Sequence, residues 1–114
     1  MIQEEREKLV KKEQLKLNKI FKEALSEDDY KRAESLLENA SFMRAALTEL
    51  REEIMIRGYV ETYKNGNNQE GTKDSSYLRS YNNLLKSYNS TLKILLSMAP
   101  VAKAEVKDDG FDSF

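Results

Sequence analysis

The chain has a single proline, Pro100, and this feature most limits its fold. Proline is the residue that most strongly breaks a helix. Residues 1–99 contain none, so helices in this part of the chain can run without a proline break. Charged residues make up 34% of the 114 residues and the hydrophobic class 39%, a mixture that suits long solvated helices better than a compact sandwich. We therefore predict a mainly helical protein in which residues 1–100 form one domain with one modest core.

Residues 1–25 are predicted to form a basic amphipathic helix. At about 100° per residue, its lysines fall within one arc of roughly 140°, and apolar residues such as Leu17 and Phe21 lie on the opposite side. Leu15 is an apolar residue on the lysine side. We refer to these lysines as the lysine ridge, which consists of Lys8, Lys11, Lys12, Lys16, Lys19 and Lys22.

A second helix is predicted over residues 26–57. Ser26 is a favoured N-cap residue, and the three acidic residues that follow it suit the positive end of the helix dipole. Gly58 is the expected C-terminal stop. Apolar residues recur at alternating intervals of three and four, which is typical of a helix–helix seam. This part of the seam is Leu36, Met43, Leu47, Leu50 and Ile54, with Ala40 between the first two.

A third helix is predicted over residues 74–99, beginning near Asp74 or Ser75. Helices 2 and 3 should pack as a long antiparallel hairpin. Two helices leave much apolar surface uncovered, so side-by-side assembly of several copies is expected. The seam residues of the third helix are Tyr77, Tyr81, Leu84, Tyr88, Leu92 and Leu95.

The segment "YKNGNNQEGTKDSS" between these helices has the glycine spacing of a phosphate-binding loop. Such a loop needs a lysine directly after its second glycine. Here Thr72 follows Gly71, and Lys73 comes one place late. The preceding segment "YVETY" is also shorter than the buried strand that this loop requires. A nucleotide site is therefore disfavoured.

Residues 59–73 are instead predicted to form a small β-hairpin. The first strand is β-branched and aromatic, as strands prefer. Asn65-Gly66 is the pair that most favours a two-residue type I′ turn. The return strand over residues 67–72 should be short, and Gly71 is a candidate bulge position.

Residues 101–114 lose all periodicity and end in "KDDGFDSF". We expect an acidic flexible tail here. Its acidic and aromatic residues are Asp108, Asp109, Phe111, Asp112 and Phe114.

Histidine and cysteine are both absent. Their absence removes disulfides, thiol chemistry, the usual zinc and iron ligands and the commonest general base. Helix capping accounts for the acidic residues 27–29, so we predict no metal, no cofactor and no catalytic residue. The charged N-terminus is unlike a secretory signal, and the apolar runs are short for a membrane span, which favours a cytosolic protein that does not enter membranes.

The order of motifs over about residues 14–100 resembles a known family. "ENASFM" on a helix is followed by a glycine, a strand, "YKNGNNQEGTKDSS" and the tyrosine-rich helix "YNNLLKSYN". This order is similar to that of the P27-like group of small terminase subunits from tailed phages. The resemblance implies a non-catalytic DNA-packaging adaptor in the host bacterial cytoplasm. It would form a homo-oligomeric ring, bind double-stranded viral DNA and regulate the large ATPase and nuclease subunit.

Two other classes of protein stay open. One is a structural helical assembly or scaffold protein that does not bind DNA. The other is an enzyme, for which the sequence offers no convergent set of catalytic side chains.

Three candidate sites follow, each with a simpler alternative. The lysine ridge is a candidate DNA contact, and a ring would strengthen this contact by repeating it on every subunit. The alternative is that the ridge is only a solvated face. Membrane-surface and calmodulin-type binding are disfavoured because the apolar face of the helix is needed for packing. Tyrosines on helix 3 are candidates for stacking on single-stranded bases, although their spacing favours the seam. The acidic tail is a candidate docking peptide for the large subunit, or else a solubilising tail.

Overall fold

The structure is a computed structural model and describes residues 1–64, 66, 69–102 and 106. The predicted mainly helical fold, with a β-hairpin between the second and third helices, is confirmed. The elements in chain order are α1 (Gln3–Ala24), α2 (Glu27–Arg57), β1 (Val60–Lys64), β2 (Glu70–Asp74), α3 (Ser76–Met98) and a 3-10 helix, η1 (Pro100–Ala102).

Side-chain and backbone caps define the limits of α2 and α3. The Ser26 hydroxyl accepts a hydrogen bond from the Asp29 N–H at 3.2 Å, and so caps α2. At the other end of α2, Gly58 has φ +88° and donates its N–H to the Ile54 carbonyl at 2.7 Å. The Ser75 hydroxyl accepts from two N–H groups in the first turn of α3, which fixes the helix start at Ser76.

Helix α2 is the central element, and α1 and α3 both run antiparallel to it. Arg6 near the start of α1 meets Glu49 near the end of α2, and α1 turns directly into α2 at residues 25–26. On the other flank, the Arg57 guanidinium at the end of α2 lies 5.0 Å from the ring centre of Tyr77 at the start of α3. Both neighbours of α2 are therefore adjacent to it in sequence.

The predicted seam lies inside this one bundle. Leu47, Ile54, Tyr88, Leu92 and Leu95 are buried, while Leu36, Met43, Leu50, Tyr77, Tyr81 and Leu84 are half-buried. Helix α1 adds two fully buried side chains, Leu17 and Phe21, to the same core. The seam is thus packed by the chain's own helices.

The hairpin register differs from the predicted one. Lys64 pairs with Glu70, so the connection between the strands consists of residues 65–69. The prediction of a two-residue turn at Asn65-Gly66 is therefore wrong. Asn65 itself lies outside the described residues, as do residues 67 and 68. Opposite charges face each other across the strands, with Lys73 Nζ 3.5 Å from a Glu61 carboxylate oxygen. Such cross-strand pairs favour the observed register.

Gly71 serves close packing rather than a bulge. The pairing runs without interruption from Val60–Asp74 to Lys64–Glu70, with Gly71 opposite Tyr63. A Cβ added at Gly71 would lie 2.7 Å from the Tyr63 hydroxyl oxygen. Glycine therefore allows the tyrosine ring to lie across the neighbouring strand, and the bulge prediction is wrong.

The segment after α3 begins in the core of the bundle. Of the residues predicted to form a flexible tail, Ala102 and Val106 are buried, 2% and 5% exposed. The helix η1, which contains Ala102, contacts both α1 and α3. The chain after α3 therefore packs against these two helices. The predicted docking residues Asp108, Asp109, Phe111, Asp112 and Phe114 lie outside the described residues.

Candidate nucleic-acid interface

The lysine ridge lies on the solvent side of α1. All six of its lysines are exposed, whereas Leu17 and Phe21 on the other side of the helix have no exposed surface. The ridge begins after an acidic first turn that contains Glu4 and Glu5. From Lys8 onward, α1 presents a long positive surface of the kind that attracts phosphate groups.

A buried ion pair anchors the helix that carries the ridge. The Arg44 Nε donates to Glu13 Oε2 at 2.8 Å, and Arg44 Nη1 donates to the Tyr88 hydroxyl at 2.8 Å. Arg44 is 1% exposed and Glu13 is 8% exposed. Because these residues belong to α2, α1 and α3, one guanidinium connects all three helices.

The environment keeps Arg44 charged. Burial acts to lower the pKa of Arg44, but the neighbouring Tyr88 hydroxyl and the Glu13 carboxylate act in the opposite direction, and the pKa is raised overall. An arginine that stays protonated needs its partners in place, since an unpaired buried charge is very costly. The network therefore fixes how α1, and with it the lysine ridge, lies on the bundle.

Sequence reasoning missed this network, although a signal was present. Glu13 is four residues before Leu17 and four after Leu9, so it falls on the apolar stripe of α1 rather than on the ridge. Arg44 falls between Ala40 and Leu47 on the seam of α2. An acid and a base at core positions of two packed helices indicate a buried pair.

A second ion pair, between Arg6 and Glu49, connects the start of α1 to α2. Arg6 donates through Nε and Nη2 to the Glu49 carboxylate at 3.0 and 2.8 Å. These hydrogen bonds hold the pKa of Glu49 below its usual value.

An apolar groove of about 200 Å³ lies beside this pair, between α1 and α2. Phe42 on its rim is 60% exposed. Its lining residues are Arg6, Leu9, Val10, Phe42, Ala45, Ala46 and Glu49.

Four exposed apolar side chains lie within six residues at the end of α2 and the start of β1, and we refer to them as the exposed apolar patch. Met55 and Ile56 are each 78% exposed, and Tyr59 and Val60, which follow in sequence, are 63% and 59% exposed. Because Arg6 already meets Glu49, the last turn of α2 extends beyond the start of α1. Patches of this kind are typical of protein-binding surfaces.

The tyrosines of α3 do not form an open stacking surface. Tyr88 has no exposed surface, and Tyr77 is half-buried beneath Arg57. Tyr81 is half-buried against the core. These tyrosine side chains therefore pack within the bundle, which is the role that their spacing along the seam indicates.

The described residues contain no group of three or more acidic side chains arranged to hold a metal ion. None of the helices in that part of the chain combines the length and apolar character needed to cross a membrane. Comparison of the chain with protein-family models, curated proteins and solved structures found no match.

Proposed function

We propose that the chain is a non-catalytic DNA-binding assembly protein, and specifically the small subunit of a tailed-phage terminase. The observation that carries this proposal is the lysine ridge, with six exposed lysines on a helix whose opposite side is anchored in the core. The motif order over residues 14–100 supports the terminase assignment. In this role the chain binds viral double-stranded DNA and regulates the large ATPase and nuclease subunit in the host bacterial cytoplasm.

The ridge has dimensions suited to a phosphate backbone. From Lys8 to Lys22, α1 extends about 21 Å at about 1.5 Å per residue. That length corresponds to about six base pairs of DNA at about 3.4 Å per pair. One ridge of lysines binds phosphates weakly and without base specificity. A ring repeats the ridge on every subunit, so the affinity of the whole ring for DNA exceeds that of one ridge through avidity.

The same proposal requires protein contacts. The exposed apolar patch formed by Met55, Ile56, Tyr59 and Val60 supports this part, because surfaces of this composition are usually covered by a partner. The proposed partners are further copies of the chain and the large terminase subunit. A scaffold protein without DNA binding is the second candidate, since the apolar patch favours assembly whether or not the ridge binds phosphate.

Salt-dependent DNA binding separates the two candidates. For the wild-type chain, the logarithm of the affinity for duplex DNA should fall linearly with the logarithm of salt concentration. The double variant Lys12→Gln, Lys16→Gln removes two ridge charges and should reduce the slope by about 1.8, at about 0.9 per phosphate contact. The matched control is Lys86→Gln, Lys93→Gln, which removes two exposed charges from α3.

Two results would count against the terminase proposal. One is an equal loss of affinity in the ridge and control variants, because the ridge would then have no special role. The other is a strict monomer in light scattering after size exclusion at tens of micromolar protein. DNA-independent oligomers whose ridge variants behave as wild type would favour the scaffold protein.

A further inference from the structure

Leu15 is an exposed apolar side chain within the lysine ridge. It is 64% exposed, so it contributes little to the core. Phosphate binding does not require an apolar group at this position. On a helix, its nearest surface neighbours are the residues three, four and seven positions away. Of these, five are lysines: Lys8, Lys11, Lys12, Lys19 and Lys22.

The groove between α1 and α2 has a size and lining that suit such a side chain. Its volume of about 200 Å³ is in the range of cavities that hold one small apolar group. Leu9, Val10 and Phe42 are its apolar walls, and Ala45 and Ala46 leave room between them. Leu15 cannot enter its own groove, because Leu9 and Val10 on the same rigid helix form the wall.

The charges around Leu15 and around the groove are complementary. Glu38 is one turn before Phe42 and is exposed, and Glu7 is three residues before Val10 and is also exposed. Glu49 adds a further carboxylate at the rim, although it is paired with Arg6. Because Arg6 and Glu49 neutralise each other, the exposed carboxylates of Glu7 and Glu38 are the charges near the groove that complement the lysines around Leu15.

We propose that Leu15 of one copy inserts into the α1–α2 groove of a second copy, with ridge lysines facing Glu7 and Glu38 of that copy. This inference rests on the homo-oligomer in the proposed function and assigns its contact surface. Knob and groove are different surfaces of one molecule, so the contact is heterologous. Repetition of a heterologous contact gives a closed ring or an open filament.

The ridge has room for both a neighbour and DNA. Lys11 is one turn before Leu15 on the same side of α1, and it belongs to the contact with the second copy. Lys16 follows Leu15 directly and points about 100° away from it. Lys12 lies between the two. Lys12 therefore borders the contact and Lys16 lies outside it, and in this proposal that edge of the ridge faces DNA.

The test uses two surface variants, each of which removes one half of the contact. Leu15→Gln removes the knob, and Phe42→Gln removes a wall of the groove. Both positions are more than half exposed, so the helical circular dichroism should stay that of the wild type. In analytical ultracentrifugation each variant alone should associate at least tenfold more weakly than the wild type. Ile94→Gln, at a 51% exposed position on α3, is the matched control and should leave association unchanged.

Mixing the two variants identifies a heterologous contact. Leu15→Gln keeps its groove and Phe42→Gln keeps its knob, so an equimolar mixture should form a one-to-one heterodimer and stop there. A Lys11→Glu variant should also associate weakly and should regain association when Glu38→Lys is added.

Three outcomes would overturn the inference. Variants as oligomeric as the wild type would place the interface elsewhere. Monomeric variants whose mixture stays monomeric would exclude the knob-and-groove pairing. A wild-type chain that is monomeric throughout would remove the homo-oligomer itself. The salt slope of the Lys12→Gln, Lys16→Gln variant is a separate measurement, so a wild-type oligomer with an unchanged slope would count against DNA binding by the ridge and not against this contact.

Discussion

The Nε atom of Arg44 lies 2.8 Å from Oε2 of Glu13 in the interior of the bundle, where α1, α2 and α3 meet. Breaking a buried ion pair by removing one partner leaves the other charge buried and uncompensated. Glu13→Leu should therefore lower the free energy of unfolding by about 3–5 kcal/mol in urea denaturation.

The double variant Glu13→Leu, Arg44→Met should recover most of this loss, because it leaves neither charge in the core. The matched control is Glu53→Leu, which removes the partner of Arg57 from an exposed pair and should cost less than about 1 kcal/mol. Equal losses in Glu13→Leu and Glu53→Leu would contradict a special role for the buried network.

The pair between Arg6 and Glu49 predicts a pH dependence. The hydrogen bonds from Arg6 hold the pKa of Glu49 below its ordinary value of 4.5. The folded state therefore gains stability from this carboxylate above about pH 4.5 and loses it as pH falls through the lowered pKa.

The comparison to make is the melting temperature of wild type and Glu49→Gln across acid pH. Glu49→Gln should be the less stable protein at neutral pH, and the two melting curves should converge as the carboxylate is protonated. Glu52→Gln removes the same charge from the same helix without touching Arg6, and so controls for net charge. A gap that stays constant down to about pH 3 would show that the charge of Glu49 is not the source of the stability difference.

Gly58 ends α2 with a backbone conformation that suits glycine alone. Its φ of +88° and ψ of −178° lie in a region that L-residues with side chains rarely adopt. A Cβ added here meets no atom within 4 Å, so any cost is conformational rather than a clash. Gly58→Ala should cost about 1–3 kcal/mol in chemical denaturation.

A D-alanine placed at position 58 by peptide ligation is the matched control, because D-residues favour positive φ. It should preserve the stability of the wild type. Equal destabilisation by both enantiomers would contradict the conformational explanation.

Val106 and Val101 give a test of packing after α3. Val106 is 5% exposed within the core cluster, whereas Val101 is 78% exposed. Val106→Ala removes buried methyl groups and should cost about 1–3 kcal/mol. Val101→Ala should be neutral within about 0.5 kcal/mol. The measurement is the thermal unfolding of both variants. Equal losses of stability in the two variants would contradict the burial of Val106.

The helices could be predicted from sequence because their signals are local. Ser26, Gly58 and the spacing of Leu47 and Ile54 each act within one or two turns, and the absence of proline leaves these patterns uninterrupted. The solvent exposure of the lysine ridge followed from the same periodicity.

The errors share a different physical origin, because they depend on contacts between distant residues. The pairing of Lys64 with Glu70 is set across two strands, and the turn preference of Asn65-Gly66 was too weak to override it. Val106 lies outside any periodic pattern, so its place in the core cluster could not be predicted from spacing. Glu13 and Arg44 carry charges that hydropathy patterns assign to the surface, although their positions lie on apolar stripes.

The sharing of α2 by both flanking helices has a consequence for the order in which the chain folds. Each helix packs on its neighbour in sequence, so loop closure is inexpensive and folding on a microsecond-to-millisecond scale is expected. Whichever helical pair docks first leaves the Arg44 guanidinium still hydrated on its open side. Arrival of the last helix must remove that water, so the final docking step, rather than the growth of any helix, should set the folding barrier.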